Sequence, residues 1–313
     1  MIGLSIESSC DETSVAILKD GKEVLSNIVS SQIQIHKAFG GVVPEIASRY
    51  HTKNISYIVK EAIEKACITF KDLDYIGVTY GPGLVGALLV GVSYAKCLAY
   101  RLNIPIVPVH HIKGHIAANY ITHKDLKPPF IALVVSGGHS HIVHVKNYID
   151  YTILGKTRDD AVGEAFDKVA RTLKLGYPGG PEISDRAKLG KASYILPKTK
   201  FENYDFSFSG IKTNVLNLVN NSKGTINVND MCKSFEQNVC EVLVDHTLKV
   251  MNDYSIHTVV LAGGVSANSY LRELLVSKCM KLNYKSYISY DKSKFDILNN
   301  LSLNAKASLS LEK

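Results

Sequence analysis

The sequence predicts an α/β protein of two duplicated lobes facing a shared cleft, with a helical insertion in the second lobe. Three observations carry that expectation. The same order of elements, three strands and then helices alternating with strands, occurs in each half. Glycine turns stand at matching strand ends: Gly81-Pro82-Gly83 in the first half, Ser136-Gly137-Gly138 and Gly263-Gly264 in the second. No low-complexity linker separates the halves. The expected lobes are residues 1–125 and 126–313, with the insertion at about 176–253.

In the first half, apolar residues alternate at Ile2, Leu4 and Ile6, then give way to a polar turn from Ser8 to Thr13. The pattern resumes at Val15, Ile17 and Leu18 and ends at Asp20-Gly21, so it reads as strand, turn, strand, turn. Glu23 to Gln32 supplies a third strand. Pro44 suits the first turn of a helix, and Ile46, Ile55, Ile58, Val59, Ala62 and Ile63 continue it to about Cys67. Tyr75 to Thr79 is a short buried strand, followed by the glycine turn and an apolar helix to about Leu102. Pro105 to Val109 is a further strand, ending at His110-His111 and another helix.

The second half repeats this order. Phe130 to Val135 is a strand, Ser136 to His139 a turn, Ser140 to Val145 the returning strand and Tyr151 to Gly155 the third. A helix is expected over Asp160 to Leu173. Val259 to Ala262 is a strand, and after Gly263-Gly264 a helix runs from about Asn268 to Met280.

The chain has 313 residues, 46% of them hydrophobic and 21% charged, which excludes disordered and collagen-like classes. A net charge of +7 permits a polyanionic partner without demanding one. The six cysteines (Cys10, Cys67, Cys97, Cys232, Cys240, Cys279) form no C-x-x-C pair, which argues for a reducing compartment and against a cysteine zinc site. The N-terminus meets Asp11 and Glu12 early and lacks the pattern of a signal peptide. The most apolar run, Leu84 to Ala95, reads as too short to span a bilayer and as broken by Gly86 and Gly91. A cytoplasmic protein without a membrane partner is expected.

Several motifs carry chemistry. Glycine turns let an anion approach the backbone, and the matched pair in the second half, with Gly179-Gly180, points to a nucleotide site. There is no G-x-x-x-x-G-K-[ST], so a P-loop is excluded. His111 and His115, four apart on a helix, present both imidazoles on one face and can share a metal ion, although most such pairs bind none. Asp11 and Glu12 sit at a turn tip, where acids are commonly just turn formers. Arg158, Asp159, Asp160, Glu164, Asp167 and Lys168 open a helix; its acids either balance the helix dipole or bind a ribose. Phe206-Ser207-Phe208-Ser209-Gly210 is either a buried aromatic loop, the default, or an exposed stacking one.

Longer stretches resemble a known family. They are Glu7-Ser-Ser-Cys-Asp-Glu-Thr13, Gly40-Gly-Val-Val-Pro-Glu-Ile-Ala-Ser-Arg49, Gly81-Pro-Gly83, Gly86-Ala-Leu-Leu-Val-Gly91 and His111-x-x-Gly-His115. In the second half they are Ser136-Gly-Gly-His139, Thr157-Arg-Asp-Asp-Ala161, Gly163-Glu-Ala-Phe-Asp-Lys-Val-Ala-Arg171, Tyr177-Pro-Gly-Gly-Pro181, Phe206-Ser-Phe-Ser-Gly210 and Ala262-Gly-Gly-Val-Ser-Ala-Asn268. Together they are similar to the tRNA adenosine threonylcarbamoyltransferases, once called glycoproteases or sialoglycoprotein endopeptidases. The resemblance implies the two-lobed fold of actin, Hsp70 and the acetate and sugar kinases. It also implies transfer of threonylcarbamoyl from threonylcarbamoyl-AMP to N6 of the adenosine 3′ of the anticodon, in tRNAs reading codons that begin with A.

Residue by residue, the resemblance assigns one divalent metal ion, iron or zinc, to His111 and His115. It assigns donor contacts to Val134, Val135, Ser136, Gly137 and Gly138, nucleoside contacts to Asp167, Gly180 and Asn268, and a part in catalysis to Asp11 and Glu12. The family's acid four residues past Pro-Gly-Gly is Ser184 here, next to Asp185. The tail departs further: in place of Cys-Thr-Asp-Asn-Ala-Ala-Met stands Tyr287 to Asn300, and an ungapped count brings Asp296 to the third metal-ligand position, with Asp291 as the alternative. Implied partners are tRNA, a smaller inactive paralogue and a P-loop ATPase. The competing functions are a catalytically impaired scaffold, suggested by the tail, and a metallopeptidase, which lacks a Glu beside its first histidine.

Overall fold

The computed structural model describes residues 1–199, 201–222 and 226–288. The described chain divides into two compact units, residues 1–126 and 127–288.

The first unit contains β1 (Ile2–Glu7), β2 (Glu12–Lys19), β3 (Glu23–Ser31), α1 (Ile33–Lys37), α2 (Pro44–Lys65), β4 (Tyr75–Gly81), α3 (Val85–Leu102), β5 (Ile106–His110) and α4 (His111–Thr122). Its sheet runs β3-β2-β1-β4-β5. The first three strands pair antiparallel, and β4 and β5 are added in parallel. Short turns suffice for the antiparallel pairs, whereas each parallel addition needs a crossover helix.

The second unit contains β6 (Phe130–Val135), β7 (Ser140–Val145), β8 (Tyr151–Lys156), α5 (Val162–Thr172), α6 (Gly179–Ala187), α7 (Ser209–Asn221), α8 (Val228–Asp253), β9 (Thr258–Ala262), α9 (Ser269–Lys281) and β10 (Lys285–Ile288). Its sheet runs β8-β7-β6-β9-β10, with the same two antiparallel and two parallel pairings. The duplication expected from element order is therefore a duplication of topology. Between β8 and β9 lie α5 to α8, and the 26-residue α8 packs Phe235, Val239 and Leu243 into the core beneath β6.

Three details differ from the sequence reading. The helix expected from Asp160 begins at Val162, because Thr157 Oγ1 donates to the Asp160 carbonyl at 2.7 Å and Ala161 is extended. The short α1 and the edge strand β10 escape the reading, having five and four residues and too little periodicity to register. The apolar run from Leu84 does not break at its glycines. Helix α3 runs through them to Leu102, the end point expected, and is, by length and composition, long enough to cross a membrane. Gly86 and Gly91 are contact points instead: a Cβ at Gly86 would stand 2.5 Å from Ser48 Oγ on α2, and one at Gly91 would collide with Ser8. With Ala87, Ala95 and Ala99, Gly91 forms the buried small-residue face on which α3 meets its own unit.

Candidate active site

In the first unit, β1, β4 and α4 bring together Glu7, Thr79, His111 and His115. Glu7 closes a buried strand whose other polar side chain is Ser5, and is itself buried. Burial raises the pKa of its carboxyl, but the neighbouring His111 charge and hydrogen bonds from His111, Ser9 and Thr79 outweigh this and hold it at about 2. Thr79 Oγ1 donates to Oε2 at 2.6 Å and the Ser9 N–H to Oε1 at 2.5 Å. His111 Nδ1 lies 3.1 Å from Oε2. An ionised carboxylate only accepts, so Nδ1 carries a proton, and in the neutral ring Nε2 is the nitrogen with the lone pair.

That lone pair points to His115: the two Nε2 atoms are 3.0 Å apart and the rings meet edge to face. Two converging imidazole nitrogens, one ring oriented by a carboxylate on its far nitrogen, suit a shared divalent cation. Among the described residues no group of three or more His, Cys, Asp or Glu forms a metal site. Asp296 lies outside the described residues.

Asp11 ends the turn between β1 and β2 and Glu12 begins β2, both half-buried. Cys10 precedes them. Desolvation of its sulfur, and then the Asp11 charge beside it, push the thiol up to about 12, so it is not a thiolate nucleophile at neutral pH.

In the second unit, Val134 and Val135 end β6 as fully buried residues, paired with His141 and Ser140 of β7, and lead directly into the turn. The Ser136–His139 turn closes through the Ser136 N–H, which donates to the His139 carbonyl at 2.8 Å. Ser136 Oγ in turn accepts from the His139 N–H at 3.2 Å. Between them the N–H groups of Gly137 and Gly138 make no hydrogen bond among the described residues. A Cβ on either glycine would meet nothing within 4 Å, and neither is in the left-handed region. Gly180 is equally open. The unit's own packing therefore does not require glycine at these three positions. Gly163 and Gly179 are the opposite case. A Cβ at Gly163 would sit 2.7 Å from the Ser136 carbonyl oxygen, and one at Gly179 would sit 2.7 Å from backbone atoms of α5. Gly263, at φ +89°, lets β9 turn closely past Val135.

The remaining predicted residues of this unit are held by α5, α6, α8 and α9. Asp167 Oδ1 accepts from the Gly179 N–H at 2.7 Å and joins α5 to the start of α6. The Asn268 side chain is committed within the protein: Oδ1 caps α9 by accepting from the Leu271 N–H at 2.8 Å. Its Nδ2 donates to Ser184 Oγ and to Glu236 Oε1, each at 2.8 Å. Ser184 donates to the same Glu236 oxygen at 2.7 Å. Glu236 was not legible as a site residue, because nothing in the pattern of α8 separates it from other polar positions. Glu7, similarly unassigned, had one signal: an acid at the end of a buried, mostly apolar strand.

Two motifs prove to interlock structurally. Asp159 Oδ1 accepts from the N–H groups of Phe208 and Ser209, at 2.8 and 3.3 Å. Its Oδ2 accepts from the hydroxyls of Ser207 and Ser209, at 2.5 and 2.6 Å. It thereby caps α7, while Phe206 and Phe208 are fully buried, the default reading of that loop. Asp160 is held by Lys168 and Lys212 at 2.7 and 2.9 Å.

Residues 23–292 match the family model for TsaD, tRNA N6-adenosine threonylcarbamoyltransferase. The chain belongs to this family. It is 59% identical over 278 residues to the enzyme of that name from Clostridioides difficile, covering 87% of this chain and 82% of the relative. Its identity to the Clostridium novyi enzyme is 56% over 281 residues, covering 88% and 82%. Among solved structures, full-length HypF superimposes with a TM-score of 0.70 at 15% identity, over all of this chain and 56% of HypF. Component A of (R)-2-hydroxyglutaryl-CoA dehydratase from Acidaminococcus fermentans gives 0.58 at 16% identity, over 100% and 99% of the two chains. These two share the fold. The chain is thus an acyltransferase that modifies N6 of adenosine in tRNA, on the actin and sugar-kinase type of α/β architecture.

Proposed function

We propose that the transferase takes threonylcarbamoyl-AMP as donor and, as acceptor, the adenosine 3′ of the anticodon in tRNAs reading codons that begin with A. The observation that carries this reading is the open glycine turn at Ser136–Gly138. Its two unused N–H donors and its lack of Cβ atoms suit the oxygens of an acyl phosphate. The backbone of Val134 and Val135 leads into this turn, and Gly180 gives a second open approach. Asp167 and the Asn268–Ser184–Glu236 cluster shape the nucleoside end.

The adenine amine attacks the carbamoyl carbon, the carbon–oxygen bond to phosphate breaks, and AMP departs with the bonding pair. The N6 proton must also leave to a base, and the motif match gives Asp11 and Glu12, whose carboxylates can accept a proton, a part in catalysis. Positioning and oxyanion stabilisation then supply most of the acceleration, because AMP is already a good leaving group. His111 and His115 would hold one divalent ion, iron or zinc, with Asp296 at the sequence position of the third ligand, and the ion would supply Lewis-acid neutralisation of phosphate charge. Glu7 keeps His111 in the tautomer that a metal requires. The excess of basic residues favours tRNA. A smaller inactive paralogue and a P-loop ATPase complete the system in the cytoplasm.

The test is transfer from pre-formed threonylcarbamoyl-AMP to unmodified tRNA, with the partner proteins added and nucleosides read by mass spectrometry. Modified adenosine is expected only at the position 3′ of the anticodon and only in tRNAs reading codons that begin with A. Equal modification of other tRNAs, or none from protein that binds the adenylate, overturns the reading.

A further inference from the structure

Behind the turn that carries Asp11 and Glu12, the first unit buries a second polar cluster that takes no part in the histidine pair. His51, on α2, is fully buried. Its Nε2 lies 2.9 Å from the Cys10 carbonyl oxygen and its Nδ1 lies 2.7 Å from Thr13 Oγ1. A carbonyl oxygen only accepts, so Nε2 carries the proton. Nδ1 of the neutral ring is then a lone pair, and the Thr13 hydroxyl donates to it. Burial also lowers the imidazole's pKa, in keeping with the neutral form.

The adjoining Asp11 carbonyl accepts from the Gln32 N–H at 2.9 Å. Gln32 is buried in turn: its Oε1 lies 3.2 Å from His36 Nε2, and its Nε2 donates to the Ala47 carbonyl of α2 at 3.4 Å. His36 Nδ1 accepts from the Val43 N–H at 3.3 Å. Buried polar groups thus run from α2 to the backbone of both Cys10 and Asp11. Apolar side chains would fill the same space at lower desolvation cost, whereas a satisfied polar network fixes one geometry.

We propose that His51 is a positioning residue for the transfer reaction: held by Thr13 in its Nε2–H tautomer, it pins the Cys10 carbonyl and so aims the Asp11 and Glu12 carboxylates. This rests on the reading that those two acids serve the reaction.

The experiment compares His51→Ala, His51→Gln, Thr13→Val and Thr13→Ser, beside Asp11→Ala and Glu12→Ala. It measures kcat, KM for threonylcarbamoyl-AMP and for tRNA, and thermal unfolding. A misplacement of about 1 Å costs on the order of a hundredfold in rate. His51→Ala is therefore expected to lose roughly tenfold to a hundredfold in kcat, with both KM values nearly unchanged. His51→Gln, whose amide offers both a donor NH2 and an acceptor oxygen, recovers part of the rate. Thr13→Val, the smaller lesion, is expected to lose rate as well and carries the test where His51→Ala fails to fold, and Thr13→Ser retains the rate. Wild-type kcat in folded His51→Gln and Thr13→Val, with only the unfolding temperature lowered, overturns the proposal while Asp11→Ala stays inactive. Full activity in both Asp11→Ala and Glu12→Ala instead overturns the reading of the acids on which it rests.

Discussion

Replacing Gly138 by alanine separates folding from function at one atom. The new Cβ meets nothing within 4 Å, and the residue is not in the left-handed region, so the folded state gains neither clash nor strain. The unfolded chain loses freedom, so stability is expected to stay level or rise by about 0.4–1 kcal/mol. Gly163→Ala is the contrasting case. Its Cβ would sit 2.7 Å from the Ser136 carbonyl oxygen and the Gly137 Cα, and must open that contact by about 0.7 Å to reach the 3.4 Å of ordinary packing. Overpacking costs about 1–3 kcal/mol, and the better helix propensity of alanine offsets about 1 of it. A methyl on Gly138 does reach the space where a donor oxygen would meet the turn's N–H groups. Losing one such contact costs on the order of a hundredfold in rate. The assay pairs thermal unfolding with the rate of transfer to tRNA. Gly138→Ala with unchanged stability and a rate at least tenfold lower supports a ligand cradle; the wild-type rate refutes the reasoning.

Further outcomes follow from the same contacts. Glu7→Gln loses the ionised acceptor that sets the His111 tautomer, so bound metal measured by elemental analysis should fall, with affinity reduced roughly 10–100-fold. His115→Ala should abolish metal retention after dialysis against chelator, with little change in the far-UV spectrum. Asp159→Ala removes the cap of α7 and should cost about 2 kcal/mol in denaturant unfolding. Burial raises the Asp159 carboxyl, but the Ser207 and Ser209 hydroxyls and the Phe208 and Ser209 N–H groups outweigh it, so its pKa lies below the ordinary 3.8. Its contribution is therefore fully present above that pH and is lost as pH falls below it; the wild-type and Asp159→Ala stability curves should converge in acid. Phe166→Ala in the second core should cost about 3–5 kcal/mol, since the ring is 2% exposed and packs edge to face on Phe235.

The order of elements, and hence the duplicated fold, was legible because strand period, turn residues and helix starts are local properties of the chain. Alternation at Ile2, Leu4 and Ile6, Pro44 at the first turn of α2, and glycine turns after β4, β6 and β9 each act within a few residues. The His111–His115 pair was legible for the same reason, since a spacing of four is a helix property. Other features depended on residues far apart in sequence. Glu7 acquires its low pKa from His111 across 104 positions, and Asp159 caps a helix 50 positions away. His51 reaches the turn at Cys10 across 41 positions. Sequence spacing also treats all glycines alike. Only packing separates Gly163 and Gly179, which are small because backbone presses on them, from Gly137, Gly138 and Gly180, which face open space. Local periodicity therefore determined which elements form, while burial and hydrogen bonding between distant segments decided which side chains are held for chemistry.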